Sequence, residues 1–145
     1  MTAQKNLYET DFYGWCSGQS EELCAGRIHN LDLLNLSEEI RYLGDSEKKE
    51  LINALALMFM HLLKWAYQPG RRSGSWENTV AHRRVKIKRI LKKSPSLAPH
   101  LKDCIQEAYE DAMYLASEET GLDLDKFPKE MPFSYQDAMT DKWMP

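Results

Sequence analysis

The sequence predicts an all-α, up-and-down helical bundle of about five helices, in a single domain over residues 1–145, with a C-terminal extended strap over about residues 122–145. Three observations carry this prediction. Apolar residues recur at three- and four-residue intervals through five segments. Nowhere does an apolar/polar alternation persist between turn signals, so no strand is expected. The stretches between the periodic segments are short, which favours antiparallel neighbours. A chain of 145 residues, 43% of them hydrophobic and 28% charged, is long enough for one domain with a substantial core, and it excludes wholesale disorder, a collagen-like chain and a membrane bundle.

The first helix is expected from about Asp11 to Ala25 after a Thr10 cap, with Phe12, Cys16, Gln19 and Leu23 on one face and Tyr8 and Trp15 beside it. Gly14 and Gly18 weaken it, each by about 1 kcal/mol relative to Ala. The second runs from about Leu33 to Leu43 with the stripe Leu33, Leu36, Ile40, Leu43, flanked by Glu39, and Gly44 is read as its stop. The third starts at Asp45 or Ser46 and ends before Pro69. Leu51, Leu55, Met58, Leu62 and Trp65 form one face, and Ile52, Ala56, Phe59, Met60 and Leu63 extend it around most of the circumference. Only Glu50, Asn53, His61 and Lys64 form a polar strip, so this helix should be central. The run Leu51–Leu63 is too short and too interrupted to span a membrane.

The fourth helix opens at Ser75 as N-cap, with Asn78 three residues on, and runs to about Lys93. Its stripe is Trp76, Val80, Arg83, Ile87 and Ile90/Leu91. The opposite arc carries His82, Lys86, Lys88, Arg89, Lys92 and Lys93. The fifth runs from Leu97 to Thr120, tolerating Pro99 in its first turn and stopping at Gly121. Ala108, Ala112 and Ala116, four apart, let a neighbouring helix approach closely. The tail holds three prolines and the aromatics Phe127, Phe133 and Trp143, with one short helix expected over Ser134–Met139.

Charge is distributed unevenly. Residues 71–93 hold nine Lys or Arg against Glu77 alone, while the rest of the chain holds 10 basic and 21 acidic residues. Such an arc is either neutralised internally or faces an anionic partner. The candidate contact set for a protein partner or anionic ligand is Lys64, Arg71, Arg72, Ser75, Lys86, Arg89 and Lys93, where the start of the fourth helix adds its N–H groups and dipole. Nucleic acid is possible but disfavoured by a pI of about 5.8. A homo-oligomer is compatible with this composition. The alternative is a small enzyme acting on a phosphorylated or nucleic-acid substrate, with His61, Lys64, Arg71 and Arg72 converging on one pocket.

Arg83 falls inside an apolar stripe and requires a carboxylate, with Asp111, Glu39 or Glu119 as candidates. No nucleophile elbow, phosphate loop or Glu-x-x-His pair occurs, so no catalytic residue, metal ligand or cofactor is assigned. The segment Met1–Leu7 has no apolar leader, and three scattered cysteines fit free thiols in the cytoplasm.

His61-Leu-Leu-Lys-Trp65, Tyr67-Gln-Pro69, Arg71-Arg-Ser73 and Ser75-Trp76 resemble the signature of the bacterial family called domain of unknown function 29. The likeness continues over nearly the whole chain, through Leu7-Tyr8-Glu9, Asp11-Phe12-Tyr13, Trp15, Leu36, Glu38-Glu39-Ile40, Leu43-Gly44, Ser94-Pro-Ser-Leu97 and Glu119-Thr-Gly-Leu122. In that family a charged or polar residue more often stands at the position of Gly70. The resemblance implies a small, mostly helical bacterial or cyanobacterial protein with no established activity and no catalytic residues to carry over.

Overall fold

The computed structural model describes residues 7–145. Residues 1–6, most of the segment expected to lack a leader, lie outside the described residues. The described residues contain no strand, and the all-α class holds. A helical turn at residues 7–10 precedes α1 (Phe12–Cys24), α2 (Leu33–Tyr67), α3 (Gly74–Lys93), α4 (Leu101–Thr120) and α5 (Tyr135–Met139). Single-turn 3-10 segments at Ile28–Asn30, Pro69–Arg71 and Leu124–Lys126, and a longer one at Pro95–His100, occupy the connections. The chain divides into two compact units, Met1–Ser46 and Glu47–Pro145.

One boundary is corrected. The second and third helices expected from the sequence are a single 35-residue helix, α2, that continues through Gly44. A glycine inside a helix costs about 1 kcal/mol, less than a broken ladder of backbone hydrogen bonds would.

In the first unit, Asp11, not Thr10, caps α1: its carboxylate accepts from the Gly14 amide at 3.0 Å. Gly14 makes room for this, since a Cβ there would stand 2.5 Å from Asp11 Oδ2. Trp15 and Gln19 are the buried residues of α1, whereas Phe12, Cys16 and Leu23, expected beside Gln19 in the core, are exposed. Trp15 Nε1 donates to Asp32 Oδ2 at 3.1 Å, and the Asp32 amide donates to Gln19 Oε1 at 2.8 Å. Asn35 Nδ2 adds a bond of 2.8 Å to the same carboxylate oxygen. At the other end, the Tyr8 hydroxyl donates to Glu39 Oε1 at 2.6 Å. These pairings run Tyr8 against Glu39 and Trp15 against Asp32, so α1 and the start of α2 are antiparallel.

In the second unit, two ion pairs give the topology. Lys64 near the end of α2 meets Glu119 at the end of α4, and Lys93 at the end of α3 meets Glu47 of α2. α2 and α4 are therefore parallel to each other and α3 runs antiparallel between their ends. The α2 face is the core, as its near-continuous apolar run demands: Leu51, Leu55, Met58, Phe59, Leu62 and Leu63 are wholly buried. Ala108, Ala112 and Ala116 of α4 join them, also wholly buried. The expected start of the fifth helix at Leu97 is taken by 3-10 turns up to His100, because Pro95 and Pro99 lack the N–H groups a continuous α-helix uses. Gly121 ends α4 at φ 73°.

The tail packs onto this unit through Phe127, Phe133 and Ala138, all buried. Tyr109 donates its hydroxyl to the Pro128 carbonyl at 2.6 Å, and Ser134 caps α5 by accepting from the Asp137 amide at 3.0 Å.

Candidate functional site

The two contact regions expected from the sequence behave differently. At the α2–α3 junction the cations are already engaged. Lys64 is buried, pairs with Glu119 at 2.6 Å and stands 4.6 Å from the Trp76 ring centroid. Arg72 donates from Nε to the Trp65 carbonyl at 2.8 Å and lies over the Trp65 ring at 5.0 Å. Ser75 is not the cap. Helix α3 begins at Gly74 after Ser73, and the Ser73 and Ser75 hydroxyls meet at 3.0 Å. Arg71 is exposed.

His61 Nδ1 sits 2.9 Å from the Leu57 carbonyl, and burial pushes its pKa below the usual value. Lys64 and Arg72 are thus each held by partners outside the set His61, Lys64, Arg71 and Arg72. A concavity of about 490 Å³ in this unit is lined instead by Asn53, Ala56, Leu57, Asp111, Tyr114, Leu115 and Glu118.

The outer arc of α3 is different. His82, Arg83, Val85, Lys86 and Arg89 line a shallow concavity of about 330 Å³. Their spacing of three and four residues places them on adjoining turns of one helix. Among the described residues, Arg83, Lys86, Arg89 and Lys92 make no ion pair, whereas Lys88 and Lys93 reach Asp141 and Glu47 only at 3.6 and 3.7 Å. Arg83 Nε is shielded from solvent and has no acceptor, an omission that ordinarily costs about 1–3 kcal/mol.

The buried ion pair expected for Arg83 is not formed. Glu119 is held by Lys64, Glu39 by Tyr8, and Asp111 lines the larger concavity. The fully buried cation is the neighbouring Arg84, 3% exposed. It binds no carboxylate: Nε donates to the Ala138 carbonyl at 2.7 Å and Nη2 to the Trp143 carbonyl. Burial lowers its pKa. On the helical wheel Arg83 and Arg84 flank the Val80–Ile87 stripe almost symmetrically, so periodicity does not choose between them. The tail, whose carbonyls approach from the Arg84 side, does.

The family described as domain of unknown function DUF29 matches residues 7–144. The chain belongs to this family. No curated protein and no solved structure matches the DUF29 chain. Among the described residues of this DUF29 protein, no helix is long and apolar enough to cross a membrane, and no group of three or more His, Cys, Asp or Glu side chains could hold a metal ion.

Proposed function

We propose that this DUF29 protein is a non-enzymatic interaction module of the cytoplasm that docks an acidic protein surface against the outer arc of α3. The observation that carries this reading is the row Arg83, Lys86, Arg89 and Lys92, four cations without a carboxylate partner among the described residues, in a chain with a pI of about 5.8. A protein that neutralised its basic helix internally would turn its surplus acids toward that row. Instead Arg83, Lys86 and Arg89 of that row line a concavity with His82 and Val85, a form suited to several carboxylates at once. Three free cysteines fit a reducing compartment. The separate engagement of His61, Lys64 and Arg72 favours an interaction module over the small-enzyme alternative.

The test is fluorescence anisotropy with labelled polyglutamate and a labelled single-stranded oligonucleotide, read through a salt series. Polyglutamate is expected to bind at low ionic strength, to weaken steeply with salt, and to lose binding in a Lys86→Glu/Arg89→Glu variant of unchanged helicity. Absence of binding at low ionic strength removes the proposal. A clear preference for the oligonucleotide replaces the acidic protein with nucleic acid.

A further inference from the structure

The concavity of about 490 Å³ lies between α2 and α4 and shares no lining residue with the cationic arc of α3. On α4 it is lined by Asp111, Tyr114, Leu115 and Glu118, a spacing of three, one and three that sets all four on one face over two turns. Helix α2 contributes Ala56, Leu57 and Asn53. Ala56 is buried, Leu57 and Leu115 are half-buried, and Tyr114 is 63% exposed. The two acids are seven residues apart, so they stand about 10 Å apart along the helix axis, with the apolar strip and the tyrosine between them. Both are exposed, and among the described residues neither makes a hydrogen bond or an ion pair.

We infer that this groove binds a linear aliphatic polyamine, one terminal ammonium on each carboxylate and the methylene chain along Leu57, Leu115 and the Tyr114 ring. Three properties select that class. The order acid, apolar strip, acid is the complement of ammonium, methylenes, ammonium, and a single monovalent cation leaves one acid unmatched. Among the described residues no group of three or more potential ligands could hold a metal ion, so the two acids are not part of such a set. The walls are helices whose backbone N–H and C=O groups are spent on their own ladders. A peptide laid on Ala56, Leu57 and Leu115 finds no partner there for its amides, whereas methylenes require none. Tyr114, between the two acids, offers its ring face to an ammonium.

The experiment is isothermal titration calorimetry on the full chain at low ionic strength, with spermidine, diaminooctane and diaminopropane. Spermidine is expected to bind. Diaminooctane should bind about fivefold more tightly than diaminopropane, which carries the same charge but reaches only one acid at a time. Asp111→Asn and Glu118→Gln are each expected to weaken spermidine about fivefold, with helicity by circular dichroism unchanged because both positions are exposed. Asp103→Asn/Glu107→Gln, acids of α4 that do not line this groove, removes the same charge as the double groove variant and should leave the affinity within about twofold of native. Absence of spermidine binding overturns the inference. So does equal affinity for the two diamines, a measurement that needs no variant, or an equal loss in the groove and control double variants. Tighter binding of blocked trilysine than of spermidine overturns it in favour of a basic peptide.

Discussion

Lys64 Nζ lies 2.6 Å from Glu119 Oε2, tying the last turn of α2 to the last turn of α4, and the same ammonium stands over the Trp76 ring at the start of α3. The lysine side chain is 11% exposed and the glutamate 49%, so the two partners are not equivalent. Removing the carboxylate leaves a buried cation with only an aromatic face for company. Removing the cation leaves a half-solvated carboxylate that water can serve. Glu119→Gln is therefore expected to cost about 1–3 kcal/mol, and Lys64→Met to stay within about 1 kcal/mol of native. Urea unfolding of both variants checks this, and equal losses would contradict the asymmetry.

Arg84 stitches α3 to the tail through two carbonyls on opposite sides of Met139–Lys142. Arg84→Met keeps the apolar stem but leaves the Ala138 and Trp143 carbonyls short of a donor. A loss of about 2–3 kcal/mol is expected. Hydrogen exchange should show faster exchange confined to the tail, with the α2 core amides affected only through global stability.

In the first unit, Asp32 joins Trp15, Gln19 and Asn35 while 1% exposed. Asp32→Ala strands the Trp15 indole N–H and opens space beside it, so about 2–3 kcal/mol should be lost. A red shift in tryptophan emission, absent from a Trp15→Phe background, assigns the loss to this network.

The Tyr8 hydroxyl donates to Glu39, which holds the tyrosine pKa up at about 12 against an ordinary 10. A raised folded-state pKa means that the unfolded chain releases its proton first. The stabilisation from this bond is thus complete below pH 10 and fades as pH rises toward 12. Tyr109, buried against the tail, is pushed up to about 12 as well. Alkaline melting curves should separate the two: Tyr8→Phe is expected to flatten the part of the pH 10–12 decline read in the first unit, and Tyr109→Phe the part read at the tail.

Legibility in the sequence followed the density of apolar residues. Leu51–Leu63 is apolar nearly all round, so any compact arrangement must enclose it, and its burial could be read directly. Gly121 and Ser134 end and begin helices as their residue types suggest, because their backbone roles are local. Gly44 misled for the converse reason. A glycine marks a permissible stop, and whether the helix ends there depends on how the residues beyond it pack. Phe12, Leu23, Leu33, Ile40 and Leu43 show a further limit: periodicity reveals which faces are apolar, not whether the lone chain covers them. At the basic helix, the arc of Lys86 and Arg89 was visible from spacing alone. The engagement of Lys64 by Glu119, and of Arg84 by two tail carbonyls, depends on segments 55 and 54 residues away in the chain.

The three alanines of α4 have a consequence for how this protein can drift. Each is sealed at 0% exposure, and adding even a few methylenes in so filled a place typically costs about 1–3 kcal/mol. A saturation-mutagenesis screen of residues 101–120 should therefore return a picket of intolerance at 108, 112 and 116, permitting glycine or serine before valine or leucine. Exposed Glu107, Glu110 and Glu118, interleaved with them, should accept almost any polar letter. That alternation would mark the helix by the sizes its positions refuse more sharply than by the chemistry they keep.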